Sequence, residues 1–332
     1  MRCPNRRLSV APMMEWTDRH CRMFHRRFSR QALLYTEMVT ASGVVLGGAD
    51  WLYAHDCEEN PLALQLGGSE PEMLARAVEM ALPFGFSDIN LNVGCPSDRV
   101  QSGAFGACLM RDPDLVAECV AAMISAASGG PQITVKCRIG VDEQAPETAL
   151  PAFIDRVAEA GVSHFAVHAR KAWLDGLSPK ENRTVPPLDY DLVRRVRAAR
   201  PEISIALNGG IASLDQARAH LEHFDGVMIG RATYHDPAGI LGGADALITG
   251  QAQAPVAAET AVRAMFGYIE DQLCRGVKLG QITRHMLGAF NGRPGARAWR
   301  RVLSEGAHRP GAGPELVERA LAQVLPAEAA AE

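Results

Sequence analysis

Cys95 stands in the run Asn92-Val93-Gly94-Cys95-Pro96-Ser97, where a glycine and a proline fix the chain direction around the thiol. Such a thiol serves as a nucleophile or as a proton donor, and a buried structural thiol is the ordinary alternative. No His/Asn motif of the protease kind accompanies it. Lys136 lies in a largely apolar run, where it needs an anionic partner or a neutral state. It fits a Schiff-base lysine, and equally a donor to an electron-rich ring. Gln65 and His168, in comparable runs, suit a heteroaromatic ligand with carbonyl and ring-nitrogen edges. An oxidised flavin has those edges, and a cation beside its N1/C2=O region favours reduction. Gly209-Gly210 lets backbone N–H groups approach a phosphate, and Arg231, after Gly230, supplies a charge-assisted hydrogen bond. The plainer reading of Gly209-Gly210 is a tight turn.

These residues need a frame that brings them together. Eight short aliphatic runs recur along the chain, at 8–13, 32–39, 61–68, 88–95, 133–140, 164–169, 203–210 and 225–232. Amphipathic segments lie between most of them. Pro71 opens one, with Ser69 as its cap, and Asp112-Pro113 opens another. A third covers residues 147–160 and stops at Gly161. Near-continuous apolar strands alternating with helices predict a parallel sheet covered on both faces. Eight such units predict an α/β fold of the TIM-barrel kind, a (β/α)8 barrel. A doubly wound sheet is the alternative, but APMMEWTD stands where its G-x-G-x-x-G turn belongs. In a barrel the active groups come from the C-terminal strand ends. The polar residues fall there: Pro12-Met13-Met14, Glu37, Gln65, Asn90 and Asn92, Lys136 and Arg138, His168-Ala169-Arg170, Asn208-Gly209-Gly210, and Gly230-Arg231. The barrel pattern fades after Leu241, and a Gly/Ala/Pro-rich stretch leads to a helical pattern. We expect a barrel domain over 1–243 and a small helical domain over 255–325.

At 332 residues the chain can bury a large core, and its 47% hydrophobic and 22% charged residues are those of a globular protein. No window reaches the roughly 18 apolar residues of a spanning helix, and no secretory signal is expected. Eight cysteines without a C-x-x-C pair read as reduced, mostly buried cytosolic thiols, with no zinc site. The net charge of −4 argues against a nucleic-acid partner, but its distribution does not. Residues 251–332 carry 10 Lys/Arg against 8 Asp/Glu, a net +2, which leaves −6 for the first 250. Between Cys274 and Ser304 there are seven Lys/Arg and no acid. That cluster fits a polyanion and fits a solvated helical face about equally.

The run LNVGCPSDRVQSGAFGACLM resembles the active-site signature of the tRNA-dihydrouridine synthases. VAPMMEWTDRHCR, LLYTEMVT, ALQLGGSEP, VKCRIGVD, HARKAWLDGLSPKENR, LNGGI and DGVMIGRA match that family in the same order, over about Val10 to Leu241. RHMLGAFNGRPGARAWRRVLSE extends the likeness into the helical part, and KAWLDGLSPKENRTVPPLDY resembles the A-type bacterial subgroup, which acts at positions 20 and 20a of the D-loop. Cys137, Ser102 and Ala104 lie where variation is expected. The resemblance implies FMN in the barrel, NADPH as reductant, tRNA as substrate, a monomer, and a cytoplasmic location with no membrane association. Carried onto this chain, it gives FMN to Pro12, Met13, Met14, Gln65, Lys136, His168, Asn208, Gly209, Gly210, Gly230 and Arg231. Cys95 becomes the general acid that protonates uracil C5 while hydride reaches C6. Asn92 and Arg183 hold the uracil, and Lys180, Arg297 and Arg300 bind tRNA. Arg293 and Arg301 join the proposed phosphate contacts. Trp299 packs either on the RNA or in the domain core. A flavin reductase of small molecules, a phosphate-binding aldolase or isomerase barrel, and a non-catalytic RNA-binding module are the rival readings.

Overall fold

The structure, a computed structural model, describes residues 4–97 and 105–324. Residues 98–104, with Ser102, Ala104 and part of the glycine-rich loop after Cys95, lie outside the described residues, as does the Ala-rich tail. Eight parallel strands form one sheet: β1 (Leu8–Val10), β2 (Leu34–Thr40), β3 (Leu62–Gly67), β4 (Asp88–Val93), β5 (Gln132–Arg138), β6 (His164–His168), β7 (Ser204–Asn208) and β8 (Gly226–Ile229). Their order is β1-β8-β7-β6-β5-β4-β3-β2, and a parallel bridge between Ser9 and Leu33 brings the two edges together. The expected barrel is therefore present, with helices outside it.

Both faces of the strands are covered, which is why the runs read as almost unbroken apolar sequence. Side chains alternate between the helix-facing and lumen-facing sides. Leu33, Tyr35, Ala63, Ala166, Ala206 and Met228 form a small apolar cluster of their own, apart from the core beneath the helices. Arg6 pairs with buried Asp88 at the start of β4, at the N-terminal end of the strands.

Most helices begin as their sequences imply. Asp112 accepts from the Leu115 N–H at the start of helix Pro113–Ala127, and Ser213 caps Leu214–His220. One cap differs. Glu70, not Ser69, occupies the N-cap of helix Pro71–Ala81, and it makes no side-chain bond there. Pro71 starts that helix without a capping side chain.

Beyond β8 the chain is helical, ending in Ala296–Gly306 and Pro314–Leu321. This part shares one continuous apolar core with the barrel. Its attachment to the mouth is polar. Asp18 accepts from Arg284 Nη2 at 2.6 Å and from His285 Nε2 at 2.9 Å, while its other oxygen caps helix Arg19–Arg26. The Tyr234 hydroxyl lies 3.1 Å from His285 Nδ1, and the Tyr234 ring stacks on Trp16. Gly288 is packed against this corner: an added Cβ would lie 2.6 Å from the His235 carbonyl oxygen. The loop after β1 and the short helix after β8 are thus both fixed to residues 284–288.

Candidate active site

The register sets the polar strand ends level with one another. Gln65 pairs with Asn90, Asn92 with Lys136, Arg138 with His168, and His168 with Asn208. Each of Gln65, Asn92, Lys136, His168 and Asn208 lies two residues beyond Ala63, Asn90, Thr134, Ala166 or Ala206, so all five share the lumen-facing parity. They are gathered at the C-terminal mouth. Asn208 donates to the Met228 carbonyl at 2.7 Å, which ties β7 to β8. Met13 is held by its N–H on Thr17 Oγ1 at 2.9 Å, and Met14 is exposed on the rim. Pro12 is half-buried beside them. A Cβ on Gly230 would lie 3.5 Å from the Met13 sulfur, so the loops after β1 and β8 adjoin.

Cys95 is half-buried just past β4. Its N–H and that of Gly94 both donate to Asn92 Oδ1, at 3.0 and 3.1 Å. Asn92 Nδ2 donates to Gln65 Oε1 at 2.9 Å. The thiol sits 3.4 Å from the Ser97 hydroxyl. Asn92 therefore positions the cysteine loop and keeps one N–H for a ligand. Of the other thiols, Cys119 and Cys137 are buried as expected, and Cys108 is half-buried on the Phe105 carbonyl. Cys57 and Cys274 are exposed, contrary to the expectation of mostly buried thiols.

Two residues not assigned a role from sequence organise the rest. Arg138 is buried and donates through Nε to the Gly94 carbonyl at 3.1 Å and through Nη1 to the Asn182 carbonyl at 2.9 Å. Asn182, also buried, exchanges hydrogen bonds with both the N–H and the carbonyl of Trp173 and donates to the Leu177 carbonyl. It closes the loop that carries Lys180 and Arg183. Arg231 reaches the Arg183 carbonyl at 3.3 Å, which brings Arg183 to the mouth; Lys180 is exposed on the outer side of the same loop. The signal for Arg138 lies in its spacing: it stands two residues beyond Lys136 and so faces the same way.

The mouth is cationic. Lys136, Arg138, Arg170, Arg183 and Arg231 make no ion pair among the described residues. Burial, then the charge of Arg138, lowers the Lys136 ammonium to about 8. Burial lowers Arg138 to about 10. His168 is held neutral by burial and by the neighbouring Arg138 and Lys136 charges.

This arrangement fits an anionic flavin nucleotide. Arg170 Nε is buried without a hydrogen-bond partner, although the same guanidinium holds the Pro186 carbonyl. Gly209 and Gly210 have φ of 111° and 72°, and a Cβ on Gly209 would lie 2.6 Å from the His168 ring. Neither position has room for a side chain, so only glycine fits this turn at the mouth. Tyr190 donates its hydroxyl to the Gly209 carbonyl and holds the turn in place.

In the helical part the structure corrects one expected phosphate contact and decides between the two readings of Trp299. Arg293 precedes the helix, pairs with Glu259 at 2.6 Å and covers the Phe290 ring, so it is not free for a phosphate. Trp299 is fully buried and donates to the Met286 carbonyl, which places it in the core and not on RNA. Arg284 and Arg275 are also ion-paired. Arg297, Arg300 and Arg301, on helix Ala296–Gly306, remain without ion pairs among the described residues. They lie on the helix and not in the mouth.

The family model for dihydrouridine synthase (Dus) matches residues 9–325. A tRNA-dihydrouridine(20/20a) synthase of Xanthomonas axonopodis pv. citri (strain 306) is 57% identical over 95% of this chain and 93% of its own. That of Vibrio cholerae serotype O1 is 54% identical, covering 96% of each chain. Among solved structures, morphinone reductase superposes with a TM-score of 0.50 at 13% identity, over 77% of this chain and 88% of its own. A 2-naphthoyl-CoA reductase complex gives 0.54 at 11% identity, over 71% and 50%. These two likenesses speak to the barrel fold alone.

Proposed function

The chain belongs to the dihydrouridine synthase family, an oxidoreductase that reduces uridine in tRNA to dihydrouridine with a flavin, and from that premise we propose how its residues divide the work. The flavin is FMN, the reductant NADPH, and the targets are uridines 20 and 20a, the positions in the relatives' names. The barrel over 1–243 is the catalytic domain and residues 255–325 bind tRNA. The protein acts as a cytoplasmic monomer; no helix among the described residues is long and apolar enough to cross a membrane.

Gly209, Gly210, Gly230, Arg231 and Arg170 hold the phosphate; Lys136, His168, Gln65 and Asn208 hold the ring edge, and Pro12–Met14 line its side. When bound, FMN supplies the hydride that adds to uracil C6. Cys95 gives its thiol proton to C5, so the C5=C6 bond gains one hydride and one proton. Lys136, Arg138 and Arg183 line the mouth on this side, and Arg138 holds the Gly94 carbonyl next to Cys95. The remaining Asn92 N–H and the Arg183 guanidinium bind the uracil carbonyls and stabilise the charge that develops there. Turning the base out of its loop costs a few kcal/mol, which stacking in the mouth offsets. Arg297 and Arg300 hold RNA phosphates, and Lys180 contacts the RNA at the rim.

One observation carries this reading: the Cys95 thiol stands at the mouth, hung from Asn92 and beside unpaired cations. The test is spectroscopic. A visible flavin band should bleach with NADPH and return on addition of unmodified tRNA. Cys95→Ala should still bleach and still bind tRNA, yet form almost no dihydrouridine. Full turnover by Cys95→Ala removes the assigned acid, and a protein that takes up no flavin removes the cofactor.

A further inference from the structure

We infer that Asn90 and Thr134, buried beneath the mouth, are positioning residues: they anchor from below a hydrogen-bond chain that ends on the Cys95 backbone. This rests on the reading of Cys95 as the acid. The chain runs through Gln65, whose Nε2 donates to Asn90 Oδ1 at 2.8 Å, and through Asn90, whose Nδ2 donates to Thr134 Oγ1 at 2.9 Å.

The direction is decided at the cysteine end. The Gly94 and Cys95 N–H groups can only donate, so the atom facing them is the Asn92 oxygen. Asn92 then shows its nitrogen to Gln65, which must answer with Oε1. Gln65 in turn shows nitrogen to Asn90, and Asn90 shows nitrogen to Thr134. Three amides, each with two orientations, are thereby reduced to one arrangement. The Thr134 hydroxyl closes the sequence and also meets the Tyr35 hydroxyl. Neither Asn90 nor Thr134 is exposed, and neither reaches the space above the strands.

The consequence lies in what the mouth presents. With the chain so directed, Asn92 and Gln65 each keep one N–H to offer a ligand. Both partners of the Asn90–Thr134 bond are interior. Removing the Thr134 hydroxyl leaves Asn90 Nδ2 without its acceptor, so Asn90 no longer holds Gln65 Nε2 in a fixed place. Gln65 is then anchored by Asn92 alone, and the Cys95 loop loses a rigid support.

The experiment compares Thr134→Val, which keeps shape and loses the hydroxyl, with Thr134→Ser, which keeps the hydroxyl, in the full flavin-loaded chain. Single-turnover dihydrouridine formation, KM for tRNA, the FMN dissociation constant by fluorescence quenching, and Tm are measured. Thr134→Val should lower the chemical rate about tenfold or more. KM should stay near that of the parent, with FMN affinity altered no more than about threefold, and Tm should fall only by the few degrees that an unsatisfied Asn90 Nδ2 costs. Thr134→Ser should restore the rate. Equal rates in Val and Ser variants overturn the proposal. A rate loss that tracks lost FMN, or a KM that rises with it, also overturns it, because that is the mark of a merely structural residue. Asn90→Leu with Thr134→Val should reproduce the single Val effect without adding to it; additive losses count against a shared chain. Turnover by Cys95→Ala would sink the acid assignment separately, whatever the Thr134 pair shows.

Discussion

Replacing Arg138 by methionine removes a buried cation and leaves the chain path otherwise intact. The guanidinium links the Gly94 carbonyl, next to the Cys95 thiol, to the Asn182 carbonyl, at the root of the loop that carries Arg183. Hydrogen bonds from a charged donor contribute roughly 1.5–3 kcal/mol each, so the two together stabilise this link by about 3–6 kcal/mol. Against that stands the cost of burying the charge. Lowering the guanidinium from 12.5 to about 10 corresponds to about 3 kcal/mol. The two contributions largely cancel, and the net loss of folding stability is about 0–3 kcal/mol. The local effect does not cancel, because the thiol and Arg183 lose their common anchor. A displacement of about 1 Å at the reacting centre costs about 10²-fold in rate. Arg138→Met should therefore keep a cooperative melt, with Tm lowered by no more than about 10 °C. Its single-turnover dihydrouridine formation should fall by about 10²-fold. Thermal melts and a quenched-flow assay on unmodified tRNA measure the two quantities side by side. A variant with normal rate and normal Tm would refute the argument that this guanidinium organises the mouth.

Other outcomes follow from the same structure. Lys136, lowered to about 8 when no anion faces it, should bind FMN less tightly as pH rises above 8, by up to about tenfold per pH unit. In Lys136→Met the FMN dissociation constant should be weaker at pH 7 and flat to pH 9; a parallel slope in the variant would assign the titration elsewhere. Buried His25 and His164 are held to about 3, against 6.5 in the unfolded chain, because burial disfavours the charged ring. The unfolded state therefore binds more protons below pH 6.5, and stability is full above that pH and falls as pH drops towards 3. At pH 5 each ring costs about 2 kcal/mol, so denaturant midpoints at pH 5 and 8 should differ clearly, and less so in His164→Asn. The triple variant Arg297→Ala, Arg300→Ala, Arg301→Ala should reduce the salt slope of tRNA binding by roughly two to three. FMN content should not change in that variant, and an unaltered slope would place the RNA contact on another face.

The barrel is legible in the sequence because its strands are covered on both sides. Runs such as Leu62–Gly67 must then be apolar throughout, and the few polar residues within them stand out. Alternation along β5 is enough to put Lys136 and Arg138 on one side. What the sequence hides depends on partners remote along the chain. Arg284 finds Asp18 across 266 positions, and Arg293 finds Glu259, so spacing cannot separate either arginine from its basic neighbours. Trp299 is ambiguous for a related reason. An indole two residues after an arginine fits an RNA face and a core equally, and only the packing on Phe290 and Met286 decides. Asn182 carries no signal because the partners of its side chain are backbone groups of its own loop. Ser69 satisfies the usual pattern for a cap, but Pro71 fixes the helix start one residue later than that pattern implies.

The corner formed by Trp16, Asp18, Tyr234 and residues 284–288 bears on how such an enzyme could be rebuilt. A helical segment transplanted from a relative to change the choice of tRNA would meet Asp18 and Tyr234 as its sockets. Without an arginine–histidine pair to fill them, the graft would leave a half-buried carboxylate uncompensated on the loop that follows Met14. Nor would there be room for any side chain where Gly288 meets the His235 carbonyl. The exchangeable part is thus larger than the helices alone. It includes the loops after β1 and β8, and an exchange of the helical part must carry a piece of the barrel mouth with it.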